Sequence, residues 1–205
     1  MTITLWHCDG ARSLRPLWAL EEMGIDYELK VLPFPPRVLK KDFLQHNVLG
    51  TVPYLSDGDN KMTESAGMCH YLVERYQKTD FCISVDHPEY ADYLNWMYHS
   101  DATLTFPQTI YLRYAKFEPE HRRSEQVADD YRLWFLARLR LLTQHIESRE
   151  FLCDQRFTMA DIAVGYALYL GKQLGFDVDY SQAVNDYLNR LTSREAFIRS
   201  IKLTK

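Results

Sequence analysis

Two short stretches carry the most readable chemistry in this chain: Gly50-Thr51-Val52-Pro53-Tyr54-Leu55 and, shortly after it, Thr63-Glu64-Ser65-Ala66-Gly67. Proline fixes its own φ, has no N–H and forces the preceding residue to be extended, so Val52 is held extended. In an open loop the N–H and C=O of such a residue can pair with an extended peptide, as when a strand is added to a sheet edge. Ser65 is placed to cap a helix running to Tyr76. The free N–H groups and positive end of that helix favour an anion such as a carboxylate, while Glu64 beside it can take a cationic amine. A backbone ladder, a carboxylate nest and an amine-seeking acid together describe a site for a short peptide with a free amino acid at one end. A third stretch, Gly10-Ala11-Arg12-Ser13, combines a hydroxyl, a cation and a helix start, all of which favour a charged sulfur over a neutral thiol. Without a ligand, Ser13 reads as the cap of the first helix and Arg12 as a surface charge. Cys8, just upstream, is a second candidate for sulfur chemistry.

Residues 2–8 alternate well enough for a strand, Asp9-Gly10 breaks it, and Leu14, Leu17, Trp18 and Leu20 then fall near helical spacing up to Gly24. Tyr27, Leu29 and Val31 alternate again, giving strand, helix and parallel strand, closed by Pro33, Pro35 and Pro36. A short helix over 38–46 leads to the Val-Pro loop. Asp57-Gly58-Asp59-Asn60 then turns the chain so that Lys61-Met62-Thr63 can return as a hairpin partner ahead of the helix from Ser65. This order is a thioredoxin-like α/β domain over 1–80. After a linker, helical patterns alone recur, predicting an all-α domain over 88–205, with a kink at Pro107, a long amphipathic helix over 124–148 and an apolar helix over 159–174. Thr158 and Asp161 read as a reciprocal capping box, with Phe157 packing on Ile162 as its staple.

With 46% hydrophobic and 25% charged residues, the chain can build proper cores. A net charge of −4 with dispersed cations, Arg122-Arg123 being only a local pair, excludes a nucleic-acid face. Cys8, Cys69, Cys82 and Cys153 lie far apart, with neither zinc spacing nor a disulfide pattern, so no metal is expected and the compartment reads as reducing. No leader pattern opens the chain and no apolar run approaches the roughly 20 residues of a membrane span. A cytoplasmic protein is expected.

Val52-Pro53 followed by Glu64-Ser65 resembles the glutathione-binding signature of the cytosolic glutathione transferases, and the resemblance extends over essentially the whole chain. The box at Thr158 and Asp161 is similar to one that the family carries as a folding feature. The resemblance implies a thioredoxin-like domain joined to an all-helical one, a cis Pro53, a homodimer, and glutathione as co-substrate with no cofactor. Bacterial beta-type members carry Gly-Ala-Cys-Ser where this chain has Gly-Ala-Arg-Ser. Ser13 is therefore expected to donate to the sulfur with Arg12 as electrostatic helper. The resemblance further implies that Arg37 approaches the glycine carboxylate and that Asp101, near His99, reaches glutathione across a dimer interface. Phe34, Phe106, Tyr114 and Tyr166 are expected to wall a pocket for a small hydrophobic electrophile. The reading is a detoxification-type glutathione transferase. The alternatives are a glutathione-dependent thiol oxidoreductase or lyase working through Cys8, and a non-catalytic homologue that binds glutathione or a partner.

Overall fold

The computed structural model describes residues 2–203. Contacts divide the chain into two compact units, one made of the residues up to Cys82 together with those from Thr192 onward, the other of Ile83–Leu191.

In the first unit, β1 (Ile3–His7) is buried at every position, as suits the apolar run that begins the chain. It lies inside a four-stranded sheet with β2 (Tyr27–Val31), β3 (Tyr54–Asp57) and β4 (Asn60–Met62), in the order β2-β1-β3-β4. β1 runs parallel to β2, with Leu5 opposite Leu29, and antiparallel to β3, with Leu5 opposite Leu55. The connection from β1 to β2 is α1 (Leu14–Met23), stopped by Gly24 in the left-handed region at φ +60. The helix expected over 38–46 resolves into α2 (Pro36–Leu39) and a separate 3-10 segment, Lys41–Gln45. After the hairpin, α3 (Ser65–Arg75) packs against α1.

The second unit is helical: α4 (Tyr90–His99), α5 (Phe106–Leu112), α6 (Glu125–Ile146), α7 (Met159–Gln173) and α8 (Gln182–Thr192). Its centre is α7, whose residues from Met159 to Leu168 are all buried. The capping box forms as expected: Thr158 Oγ1 accepts from the Ala160 N–H at 3.3 Å while Asp161 Oδ2 accepts from the Thr158 N–H at 2.8 Å. Phe157 has its ring edge-on to Phe151. The kink expected at Pro107 is instead a π-helical turn over Ser100–Thr105, upstream of α5, and a second such turn covers Arg113–Phe117.

The expected helical domain over 88–205 differs from the structure at its end. The last helix, α9 (Glu195–Lys202), packs against α1 and belongs to the first unit. Its Phe197 ring meets buried Trp18 edge-on at 4.9 Å, and Arg194 forms a forked pair with Glu22 at 2.6 and 2.8 Å. These partners are far apart in sequence, so local periodicity carries no sign of them.

Candidate functional site

Gly50 decides where the Val-Pro loop runs. Its φ is +58, and a Cβ there would sit 2.6 Å from Arg37 Cβ and 3.0 Å from Arg37 Cα, so only glycine lets the loop pass this close to α2. Arg37, exposed on α2, is thereby held beside the loop. Asn47, only 5% exposed, braces the approach. Its amide donates to the Thr51 carbonyl at 2.9 Å, its Oδ1 accepts from the Leu49 N–H at 3.1 Å, and its carbonyl accepts from the Gly50 N–H at 2.8 Å. A turn-forming Asn before Val-Leu-Gly was the available sequence signal for this brace. The Val52-Pro53 peptide is cis. Val52 precedes β3, and its backbone N–H and C=O have no partner among the described residues.

At α3 the expected cap moves by one residue. Glu64, extended at φ −92 and ψ 114, is the N-cap, and Ser65 is the first helical residue. No side chain caps the helix, so its first-turn N–H groups are open among the described residues, and Glu64 stands exposed next to them. Ser65 is 2% exposed, and its Oγ accepts a 2.9 Å hydrogen bond from Nη1 of Arg15, a side chain of α1 with no exposure at all. Arg15 went unnoticed in the sequence. Its signal was a cation set three residues before Trp18, within the buried stripe of α1.

The turn before α1 departs further from expectation. Ser13 is fully buried and makes no side-chain cap; its hydroxyl donates to the Cys8 carbonyl at 3.4 Å and accepts from the Cys8 N–H at 3.3 Å. It therefore ties the turn to the end of β1. Arg12 is exposed at the head of α1, with no ion pair among the described residues. Cys8 is buried against the Pro33 carbonyl, and burial pushes its thiol up to about 11, which leaves it protonated near neutral pH. His7, 1% exposed, has no hydrogen-bond partner at either ring nitrogen among the described residues. Burial lowers it to about 4, although the Ser13 backbone and Asp9 lie near enough to resist.

Among residues of the helical unit, Asp101 lies in the first π-helical turn, and His99 is held down by burial and by Arg138. Phe106 is half exposed and edge-on to Tyr131. Tyr114 lies under the Arg113 guanidinium and helps line a cleft of about 610 Å³ with Tyr111, Arg123 and Arg132. Tyr166 is 2% exposed on α7, an apolar helix that is buried nearly all round. Phe34 belongs to the first unit and is exposed. No group of three or more His, Cys, Asp or Glu among the described residues could hold a metal, and no described helix is long and apolar enough to cross a membrane.

Comparison with known proteins places this arrangement. The glutathione S-transferase N-terminal domain family matches residues 11–75. Human glutathione S-transferase theta-2B is 31% identical over 171 residues, covering 73% of this chain and 67% of that protein. Glutathione S-transferase 3 of Schizosaccharomyces pombe is 24% identical over 189 residues, 83% of this chain and 75% of its own. Among solved structures, the ternary complex of the bacterial transferase BphK superimposes with a TM-score of 0.85 at 21% identity, over 98% of both chains. A sphingomonad glutathione S-transferase complexed with glutathione has a TM-score of 0.85 at 22% identity, again over 98% of both chains.

Proposed function

The chain belongs to the glutathione S-transferase family, and from that premise we propose that it binds glutathione in its first unit, activates it as thiolate and conjugates it to a small hydrophobic electrophile. The observation that carries this reading is the unpaired Val52 backbone in the same unit as the open, acid-flanked start of α3. Val52 would pair with the cysteinyl backbone of glutathione, the α3 N–H groups and Ser65 would take the γ-glutamyl carboxylate, and Glu64 its amine. Arg37, fixed beside the loop, is the cation for the glycine carboxylate. Asp101 is assigned to glutathione bound by a second copy, in a cytoplasmic homodimer.

A free thiol has a pKa of about 8.5, so the protein must lower it. Because Ser13 is turned inward, the reading gives the larger share to Arg12 and the N-terminal end of α1, with Ser13 holding the turn. The thiolate attacks the electrophilic carbon, a sulfur–carbon bond forms, the leaving group departs with the bonding electrons, and the thiol proton passes to solvent. Thiolate absorbance of the bound complex against pH tests the assignment. Arg12→Ala should move the titration upward by roughly one unit and Ser13→Ala by less; the reverse order would return the role to Ser13.

The burial of both Cys8 and Ser13 also favours a second reading, a homologue that binds glutathione without turnover. Capture on immobilised glutathione with no conjugation of an aryl halide would select it. A glutathione adduct on Cys8 would instead select the oxidoreductase.

A further inference from the structure

Arg15 reaches the start of α3 with chemistry that glutathione binding as proposed above does not use. It is a cation with no solvent exposure, carried on a different helix, and its guanidinium donates to Ser65 Oγ at 2.9 Å. An arginine is always charged and donates only, so Ser65 is always the acceptor in this pair. A serine hydroxyl has a single proton. With an oxygen lone pair occupied by Arg15, that proton is left for an acceptor, and a hydroxyl polarised by a cation is a stronger donor. Neutral serine on its own would be free to rotate and to accept as well as donate.

We propose that Arg15 is a positioning residue for a carboxylate: its hydrogen bond to Ser65 Oγ sets Ser65 as a one-way donor at the α3 start, so that this subsite selects the γ-glutamyl carboxylate of its ligand. Arg15 touches no ligand and works through Ser65. The proposal rests on the glutathione reading above and adds a source of selectivity that the Val-Pro loop does not supply.

Two ligands separate the two ideas: glutathione, and γ-aminobutyryl-cysteinyl-glycine, which lacks only that carboxylate. Calorimetry with wild type, Arg15→Lys, Arg15→Met, Ser65→Ala and the Arg15→Met/Ser65→Ala pair gives a discrimination ratio for each protein. Wild type should prefer glutathione by about ten- to a hundredfold, the value of a charge-assisted hydrogen bond. Arg15→Met should cut the ratio about tenfold with the affinity for the analogue unchanged, and adding Ser65→Ala should cost little more, since both act on one group. Arg15→Lys, which keeps the charge but not the planar fork, guards against a variant that fails to fold and should still lower the ratio about threefold. A merely structural role would weaken both ligands equally and leave the ratio intact, which overturns the proposal while the glutathione reading stands. A wild type that binds glutathione but does not discriminate removes the carboxylate from α3, and with it Arg15's role. A wild type that binds neither ligand overturns the glutathione reading itself.

Discussion

An imidazole with both nitrogens unpaired and almost no exposure is tolerated as the neutral form only, because a buried cation without partners is far costlier than a buried neutral ring. His7 is such a group, and its lowered pKa of about 4 makes it a pH liability for the first unit. The sign follows from comparing states. Between about pH 4 and the unfolded value of 6.5, the unfolded chain takes up a proton that the folded chain refuses, so stability falls as pH is lowered through this window. The shift corresponds to roughly 3–4 kcal/mol at most. Urea midpoints measured from pH 7 to pH 4 should fall for wild type relative to His7→Leu as the pH drops, with the variant giving the flatter profile; parallel profiles would mean that His7 finds a partner or solvent. The residue scale also marks what sequence could deliver. Val52 was legible because Pro53 constrains it through backbone sterics, and Glu64 because it precedes a helix. Ser13 and Arg15 were not, since a residue's type says what its side chain can donate or accept, while the fold decides to whom. Ser13 spends its hydroxyl on the Cys8 backbone, and Arg15 reaches a serine fifty positions on.

Among elements, α7 was the most legible because its start is written locally: the cap, the returning acid and the apolar run are contiguous. Asp161 also accepts from the Leu152 N–H at 3.0 Å and the Tyr187 hydroxyl at 2.8 Å, so the box anchors a neighbouring loop and α8 as well as α7. Thr158→Ala should cost about 1 kcal/mol, the usual value of a lost cap, and Tyr187→Phe roughly 1.5–3 kcal/mol, the value of a hydrogen bond to a charged group. Equilibrium urea unfolding reads both. No loss in Tyr187→Phe would mean that the box closes α7 alone, and a change in glutathione affinity without a stability loss would assign it to the site instead. The π-helical turn at Ser100–Thr105 was the least legible element. Pro107 announces trouble because it cannot donate to a carbonyl four residues back. Where the strain is absorbed is decided by hydroxyls: Ser100 Oγ donates to the Met97 carbonyl at 2.6 Å and Thr105 Oγ1 to the Ser100 carbonyl at 2.7 Å. Such competition between side chain and backbone leaves no periodic trace.

At the scale of the molecule, the chain order of the two units was legible and the return of the last helix was not. Helical periodicity reports which face of α9 is apolar and never what covers it, so assigning that helix to the all-α part was the natural reading of a C-terminal run of helices. The structure sets Phe197, 5% exposed, on fully buried Trp18, and sets Arg194 on Glu22, whose side chain is only 7% exposed. Trp18 donates to the same carboxylate at 2.9 Å, so one acid links the indole, the guanidinium and both helices. Truncating a buried phenylalanine to alanine removes its burial and leaves a cavity, for about 3–5 kcal/mol. Phe197→Ala should therefore destabilise the unit that contains the proposed glutathione site, although residue 197 lies far along the chain from it. The four tryptophans allow this to be read unit by unit, since Trp6 and Trp18 lie in the first and Trp96 and Trp134 in the second. In a Trp96→Phe/Trp134→Phe background, fluorescence follows the first unit, and in a Trp6→Phe/Trp18→Phe background it follows the second. Phe197→Ala is expected to lower the urea midpoint in the first background by at least as much as in the second. A shift confined to the second background would mean that α9 draws its stability from the helical unit, and that its packing on Trp18 contributes little to the fold around the site.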